Sequence, residues 1–260
     1  MLRSSALAAI SLTTYAGKLQ ATQSIDRDGP VDEHAVLQAL ATIPGREKLP
    51  VLVHPTQLHK RSMVTVAGRA TLLHALAHIE LNAIDLGLDI VWRFPGMPEQ
   101  FYRDWIKVAQ EEAYHFRLLS EHLEALGFHY GDFPAHNGLW EMAEKTRDDP
   151  LARLALVPRT LEARGLDASL PIRDKLKQVG DNRAAAILDI ILQDEIGHVA
   201  VGNRWYRYLC AQRELDPIST YARLAEQYHA PKLRGPFNLA ARRAAGFDEQ
   251  ELAILQASGK

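Results

Sequence analysis

The stretch "EEAYHFRLL", residues 111–119, decides how this chain is read. It continues a helical pattern whose apolar stripe is Phe101, Trp105, Val108, Phe116 and Leu119, and Glu112 and His115 fall on that same stripe. Residues three apart project from one side of a helix, so this carboxylate and imidazole are within reach of a common third object. A charge placed where the core should be is costly to desolvate, and the object has to offset that cost.

Working outward, the preceding stretch "VAGRATLLHALAHIELNAIDLGLDIVW" (66–92) keeps a helical period through 73, 76, 77, 80, 83, 84 and 87 only if Glu80 is counted as inward. "RFPGMP" (93–98) breaks the helix, and a second long helix is expected from about Pro98 to Leu126. A crossover, "GFHYGDFPAHNG" (127–138), leads to a short helix at 139–146. Asp149-Pro150 then opens a third long helix, "LARLALVPRTLEARG" (151–165). Pro158 should kink this helix, and Ser169-Leu170-Pro171 should restart it as a separate piece. Gly180-Asp181 precedes a fourth, about 182–213, with the face Leu188, Ile191, Leu192, Glu195, His198, Val199, Gly202. Strand patterns are almost absent, so the expected class is all-α.

The four helices carry, in order, Glu80; Glu112 with His115; Glu162; and Glu195 with His198. In an antiparallel pair, residues at one height are equidistant from the turn. Glu80 and Glu112 are centred on Gly96, inside the break; Glu162 and Glu195 are centred between 178 and 179, beside Gly180. With 16 Glu and 11 His in 260 residues, roughly 0.7 Glu-x-x-His pairs arise by chance. Three occur, and the third, Glu226 with His229, has no partner at a matching height and reads as accidental. Four carboxylates in one core would cost more than the ~5–15 kcal/mol stability of a domain unless compensated, and two divalent cations cancel a formal −4. Carboxylate-rich ligation with one imidazole per metal suits iron first and manganese second. Asp85, Asp189 and Asp194 are the candidate acceptors for the far imidazole nitrogens.

Composition narrows the rest. The chain is 47% hydrophobic and 24% charged with a net charge of −2, which indicates a globular protein without a general basic field for nucleic acid or anionic lipid. The single cysteine, Cys210, excludes an intrachain disulfide framework or an iron–sulfur cluster on its own thiolates. No segment reaches ~18 uninterrupted apolar residues, so no membrane span is expected. "MLRSSALAAISLTTYAGK" is a poor imitation of a secretory signal and fits a short amphipathic helix on the body, so the expected location is cytoplasmic. The organisation expected is one structural domain: an N-terminal helix and extended arm over 1–65, a bundle over 66–213, and a helical extension over 214–260.

The chain also resembles a bacterial family of ferritin-like proteins to which no function is attached. The similar stretches are "LLHALAHIELNAIDL" (72–86), "WRFPGMPEQFYRDW" (92–105), "YGDFPAHNGLWEMAEKT" (130–146), "LVPRTLEARGLD" (156–167), "DEIGHVAVGNRW" (194–205), and "RGPFN" with "ARRAAGF" (234–247). The arm departs from that pattern, with "LHKRSMVTVAGR" where a richer proline and glycine content is usual. More distantly, the ligand pattern is similar to that of the ferritin-like tRNA hydroxylases. The resemblance implies a ferritin-like four-helix bundle with a di-metal site. The leading expectation is an O2-dependent di-iron oxygenase or oxidase acting on a small molecule or a modified RNA base with an external electron donor. A peroxide-scavenging or ferroxidase-type protein and a non-catalytic metal-stabilised bundle are the alternatives. Phe101, Trp105 and Trp205 are candidates to wall a pocket, though plain core is the commoner role for such a stripe. Small residues at Ala113, Gly197 and Gly202 suit close approach. Arg69 and Arg234 are the guanidinia available to an anionic substrate group. The sequence leaves the oligomeric state open.

Overall fold

The computed structural model describes residues 1–58 and 61–258. His59 and Lys60 of the expected arm, Gly259 and Lys260 of the expected tail, and the side chain of Ser258 lie outside the described residues. Helices dominate, and the only β pairing among the described residues is an isolated bridge between Leu52 and Ala135. The chain divides into two compact units, Met1–Trp140 and Glu141–Lys260, a boundary that falls within the expected 66–213 bundle.

The first unit is built on a helical hairpin, α3 (Val66–Arg93) and α4 (Glu99–Ala125), preceded by α1 (Leu2–Ser11) and α2 (Tyr15–Gln23). Thr65 caps α3, its hydroxyl accepting from the Gly68 amide at 3.1 Å. The turn is held by Tyr102, whose hydroxyl donates to the Phe94 carbonyl at 2.9 Å and accepts from the Met97 amide at 3.0 Å. Gly96 sits there at φ +77°, a conformation that favours glycine. The helices approach closely where Gly87 faces Ala109: a Cβ on Gly87 would stand 3.1 Å from that of Ala109. Those two positions are 11 residues either side of Pro98, so the hairpin is antiparallel and close to the expected register.

The N-terminal segment is fastened to this hairpin by two buried cations. Arg3 donates to the Val91 and Trp92 carbonyls, at 3.2 and 2.7 Å, supplying partners for the last turn of α3. Lys18 is buried against Asp85, with Nζ 2.5 Å from Oδ1, and also donates to the Gly45 carbonyl at 2.9 Å. The expected helix is therefore two helices. The arm is irregular apart from a 3-10 turn at Pro55–Gln57, and it bonds to the crossover through Val53 N to Ala135 O and Ala135 N to Val51 O.

The second unit carries the other hairpin. α5 (Gly138–Lys145) straddles the division; α6 (Pro150–Leu156), a π-helical turn (Val157–Glu162) and α7 (Ala163–Gln178) form one arm, and α8 (Asn182–Gln212) the other. Asp149 caps α6 by accepting from the Leu151 amide at 3.0 Å, with Pro150 in the first turn. Gly180 turns the chain at φ +82°, and Asp181 caps α8 by accepting from the Ala184 amide at 3.1 Å.

Pro158 produces the π turn where a kink was expected. Proline has no N–H for the carbonyl four residues back, and the wider turn takes up that mismatch. The Thr160 hydroxyl donates to the Ala155 carbonyl at 2.9 Å, bonding a group in the disturbed stretch. Across from it, Gly202 leaves room for the proline ring, since a Cβ there would lie 2.6 Å from Pro158 Cβ. Both residues are 22 positions from Gly180, so this contact sets the register of the pair.

The restart expected at Ser169–Pro171 does not occur, and α7 runs through Pro171. Interior proline costs about 3 kcal/mol, but Leu166, Ser169 and Leu176 are buried on a helix that packs along α8, and that burial outweighs the local cost. The tail forms α9 (Pro217–Gln227), α10 (Leu239–Ala244) and α11 (Glu249–Ser258). Arg242 grips Asp167 with two bonds of 3.0 and 2.6 Å, and Ala241 and Ala245 pack on Ala163, Leu166 and Val199.

Two substitutions check these packing claims. Gly202→Val should lower unfolding free energy in urea by about 1–3 kcal/mol, because backbone-linked Pro158 has little room to retreat. Lys18→Met should cost about 3–5 kcal/mol by stranding Asp85, and Lys18→Met with Asp85→Leu should recover most of it.

Candidate metal centre

In the first unit, Glu80 on α3 meets Glu112 and His115 on α4. All three are buried, at 4%, 1% and 0% exposure. The His115 Nδ1 atom lies 3.2 Å from Glu112 Oε2 and 3.4 Å from Glu80 Oε2. Each residue offers one ligand atom, and these atoms lie within 4.8 Å of one another, so this buried Glu/His group can hold a metal ion. The hairpin register explains the meeting: Glu80 and Glu112 are 16 residues either side of Gly96, and Glu-x-x-His puts both α4 ligands on one face.

The electrostatics are those of an acid cluster removed from water. Burial, then the charge of Glu112, hold the Glu80 carboxyl well above its ordinary range. Burial opposes a charged imidazole at His115, but hydrogen bonds and attraction from Glu112 and Glu80 outweigh it and push its pKa up to about 11. The cluster thus carries a positive charge on its own imidazole. Oxygen donors with one imidazole suit a hard or borderline divalent ion.

The second unit carries the other pattern. Glu195 and His198 are buried on α8, with His198 Nδ1 3.6 Å from Glu195 Oε1. Glu162, the last residue of the π turn, is half-buried.

The remaining candidates are placed as follows. Asp85 is not an imidazole acceptor: five residues beyond Glu80 on α3, it points about 140° away around the axis and is taken by Lys18. Asp189 is also corrected, being on the surface with Arg173 at 2.7 Å. Asp194 is half-buried. Phe101 and Trp105 pack edge-to-face within the core, and Trp205 does the same with Tyr208. Ala113 is buried and Gly197 exposed. Arg69 donates to the Met63 and Val64 carbonyls at 3.1 and 3.2 Å, about 16 Å along the axis from Glu80. Arg234 is exposed, and the neighbouring Asn238 bonds to α7 through the Leu166 carbonyl and the Asp167 side chain.

Sequence reading passed over a polar network on the far face of α3. His78 Nδ1 is 2.8 Å from the Tyr130 hydroxyl, and its Nε2 is 3.1 Å from the His136 carbonyl. His74 Nε2 accepts from the Gly131 amide at 2.9 Å. Burial lowers both imidazoles to about 4, so they act as neutral pins for the crossover. Their i, i+4 spacing was the available signal. Beside them lies a cavity of about 200 Å3 lined by Lys18, Arg46, His78, Asn82 and Tyr130.

His115→Leu should destabilise the metal-free protein by about 3–5 kcal/mol at pH 8, since it strands two buried carboxylates. Urea melts check the loss. Glu80 and His115 both have raised folded-state pKa values, so each contributes stability that is present below its ordinary range and is lost as pH rises.

A protein of Haemophilus influenzae described as uncharacterised is 50% identical over 210 residues, covering 78% of this chain and 73% of the relative. No solved structure matches the chain. The model of a family described as a protein of unknown function, DUF455, matches residues 8–253, a span that contains every one of the six ligand candidates. The chain belongs to the DUF455 family.

Proposed function

We propose that this chain is a ferritin-like di-metal carboxylate protein acting as an O2-dependent oxygenase or oxidase. In this reading the α3/α4 and α6–α7/α8 hairpins build a four-helix bundle, and Glu80, Glu112, His115, Glu162, Glu195 and His198 hold two divalent ions, iron before manganese. The observation that carries it is the buried meeting of Glu80, Glu112 and His115, two acids compensated by one imidazole. The Glu-x-x-His of α8, with Glu162 on the helix paired to it, repeats the same ligand grammar in the second unit and supports a second ion.

A bound pair of Fe(II) ions would supply electrons to O2. The chain's own part is to present hard oxygen donors and to exclude bulk water, and Ala113 and Phe116, at 2% and 1% exposure beside the α4 ligands, serve the second task. Cys210, the single cysteine, is buried and cannot by itself carry an electron-transfer cluster, so the electron donor is external. The substrate would be a small molecule or a modified RNA base, met in the cytoplasm; no helix among the described residues is long and apolar enough to cross a membrane.

Protein purified from its native host should contain close to two transition-metal ions per chain by mass spectrometry, falling to below one in Glu112→Ala. Loaded anaerobically with Fe(II), it should consume O2 at an electrode, and Glu112→Ala should lower that rate by at least ~10-fold. Metal only at trace level, or O2 uptake indifferent to Glu112, would sink the reading. Metal without O2 uptake would leave a metal-stabilised bundle in its place.

A further inference from the structure

The second unit carries a half-open cavity of about 800 Å3 that has no part in the proposed ligand set. Its walls come from α9 and α11 and from the segment after α9, and they are largely apolar: Ile218, Tyr221, Ala225, Leu233 and Leu255. The volume lies within the ~300–1,000 Å3 range that encloses a medium-sized organic ligand. Glu226 and His229, the Glu-x-x-His pair that the bundle does not use, line it as exposed residues.

Two cations of this lining are buried: Arg242, 1% exposed, is held by Asp167, and Arg159 is the other. Arg159, in the π turn, is 3% exposed. Its guanidinium carbon lies 4.5, 5.2 and 5.1 Å from the ring centres of Tyr206, Tyr221 and Phe247, an aromatic cage. Nε donates to Asn203 Oδ1 at 2.5 Å, and Nη2 donates to Glu251. Glu251 is shared with Arg207, 2.6 Å away, so it does not belong to Arg159 alone. Nη1 is buried and meets no acceptor among the described residues. A buried donor left in that condition costs about 1–3 kcal/mol, more when charged, and this one belongs to a residue that lines an apolar cavity.

We propose that this cavity binds a small amphipathic monocarboxylate, with the carboxylate accepting from Arg159 Nη1 and the hydrocarbon body lying between α9 and α11. The charge argument selects a monoanion. Arg159 has one nitrogen to give and not a two-pronged fork; on the same lining Arg242 is taken by Asp167, and the carboxylates of Glu251 and Glu226 offset the charges of Arg242 and exposed Lys232, which leaves one positive charge over. The apolar walls select a ligand with a hydrocarbon or aromatic body over a bare inorganic anion. The claim does not rest on the metal centre.

Decanoate titrated calorimetrically into the full chain is the test, with 1-decanol and inorganic phosphate as matched probes. Decanoate should bind at least tenfold more tightly than either, and Arg159→Gln should weaken it at least tenfold while leaving 1-decanol unchanged. Because Arg159 is buried and its loss can cost the fold, Ala225→Trp provides the second arm. It fills the cavity from α9, leaves the Arg159 contacts in place, and should abolish the decanoate heat at concentrations that saturate the parent, with folding verified by circular dichroism. Decanoate binding that survives Ala225→Trp would place the carboxylate elsewhere, a metal ion included, and overturn the proposal. So would equal affinity for decanol or phosphate, or no decanoate binding at all.

Discussion

Two carboxylates and one imidazole pressed together out of water form the constraint around which the first unit is arranged. Glu80 and Glu112 repel one another and lose hydration on burial, and His115, held protonated between them, returns part of that loss. Nothing about a hairpin of this length requires acids at its middle. The surrounding apolar stripe would pack as well with leucines in those positions, and more stably. Acids at that height between the two helices suit a group that can hold a metal ion.

The supporting structure keeps that height fixed. Tyr102 clamps the turn between α3 and α4 with a bond in each direction, and Gly87 against Ala109 prevents the helices from drifting apart. Arg3 and Lys18 tie the N-terminal helices to α3, one at its last carbonyls and one at Asp85. In the second unit the same tasks fall to Asp181 and Gly180 at the turn, to Gly202 against Pro158, and to Arg242 on Asp167. Each hairpin therefore has a cap at the turn, a close contact between its arms and a charged fastening to the adjoining segment.

What could be read from residues alone follows the range over which each interaction acts. The long helices α3, α4 and α8 were legible because Pro95–Pro98 and Gly180-Asp181 punctuate the chain locally, and the Glu80, Glu112 and His115 cluster was legible because an antiparallel pair reduces to counting from a turn. The π turn was not, since Pro158 dictates only that a bond is lost; what replaces it depends on Gly202, 44 positions later. The continuity of α7 through Pro171 likewise depends on α8. Asp85 looked like an imidazole acceptor because its partner, Lys18, lies 67 residues away, and Arg159 drew no notice because Glu251 lies 92 away. Ion pairs at such separations leave no local periodicity to detect.

The π turn has a consequence for how the chain tolerates changes of length. Such a turn is an α-helix holding surplus residue, and removing one position between 157 and 162 would restore ordinary helix at little local cost. Everything downstream on α7 would keep nearly its present direction, since the wider turn takes up its extra residue without adding rotation, and Asp167 would stay within the grasp of Arg242. Loss of Pro158 itself should therefore be the one shortening that α7 tolerates, because it removes the cause of the irregularity together with the extra position.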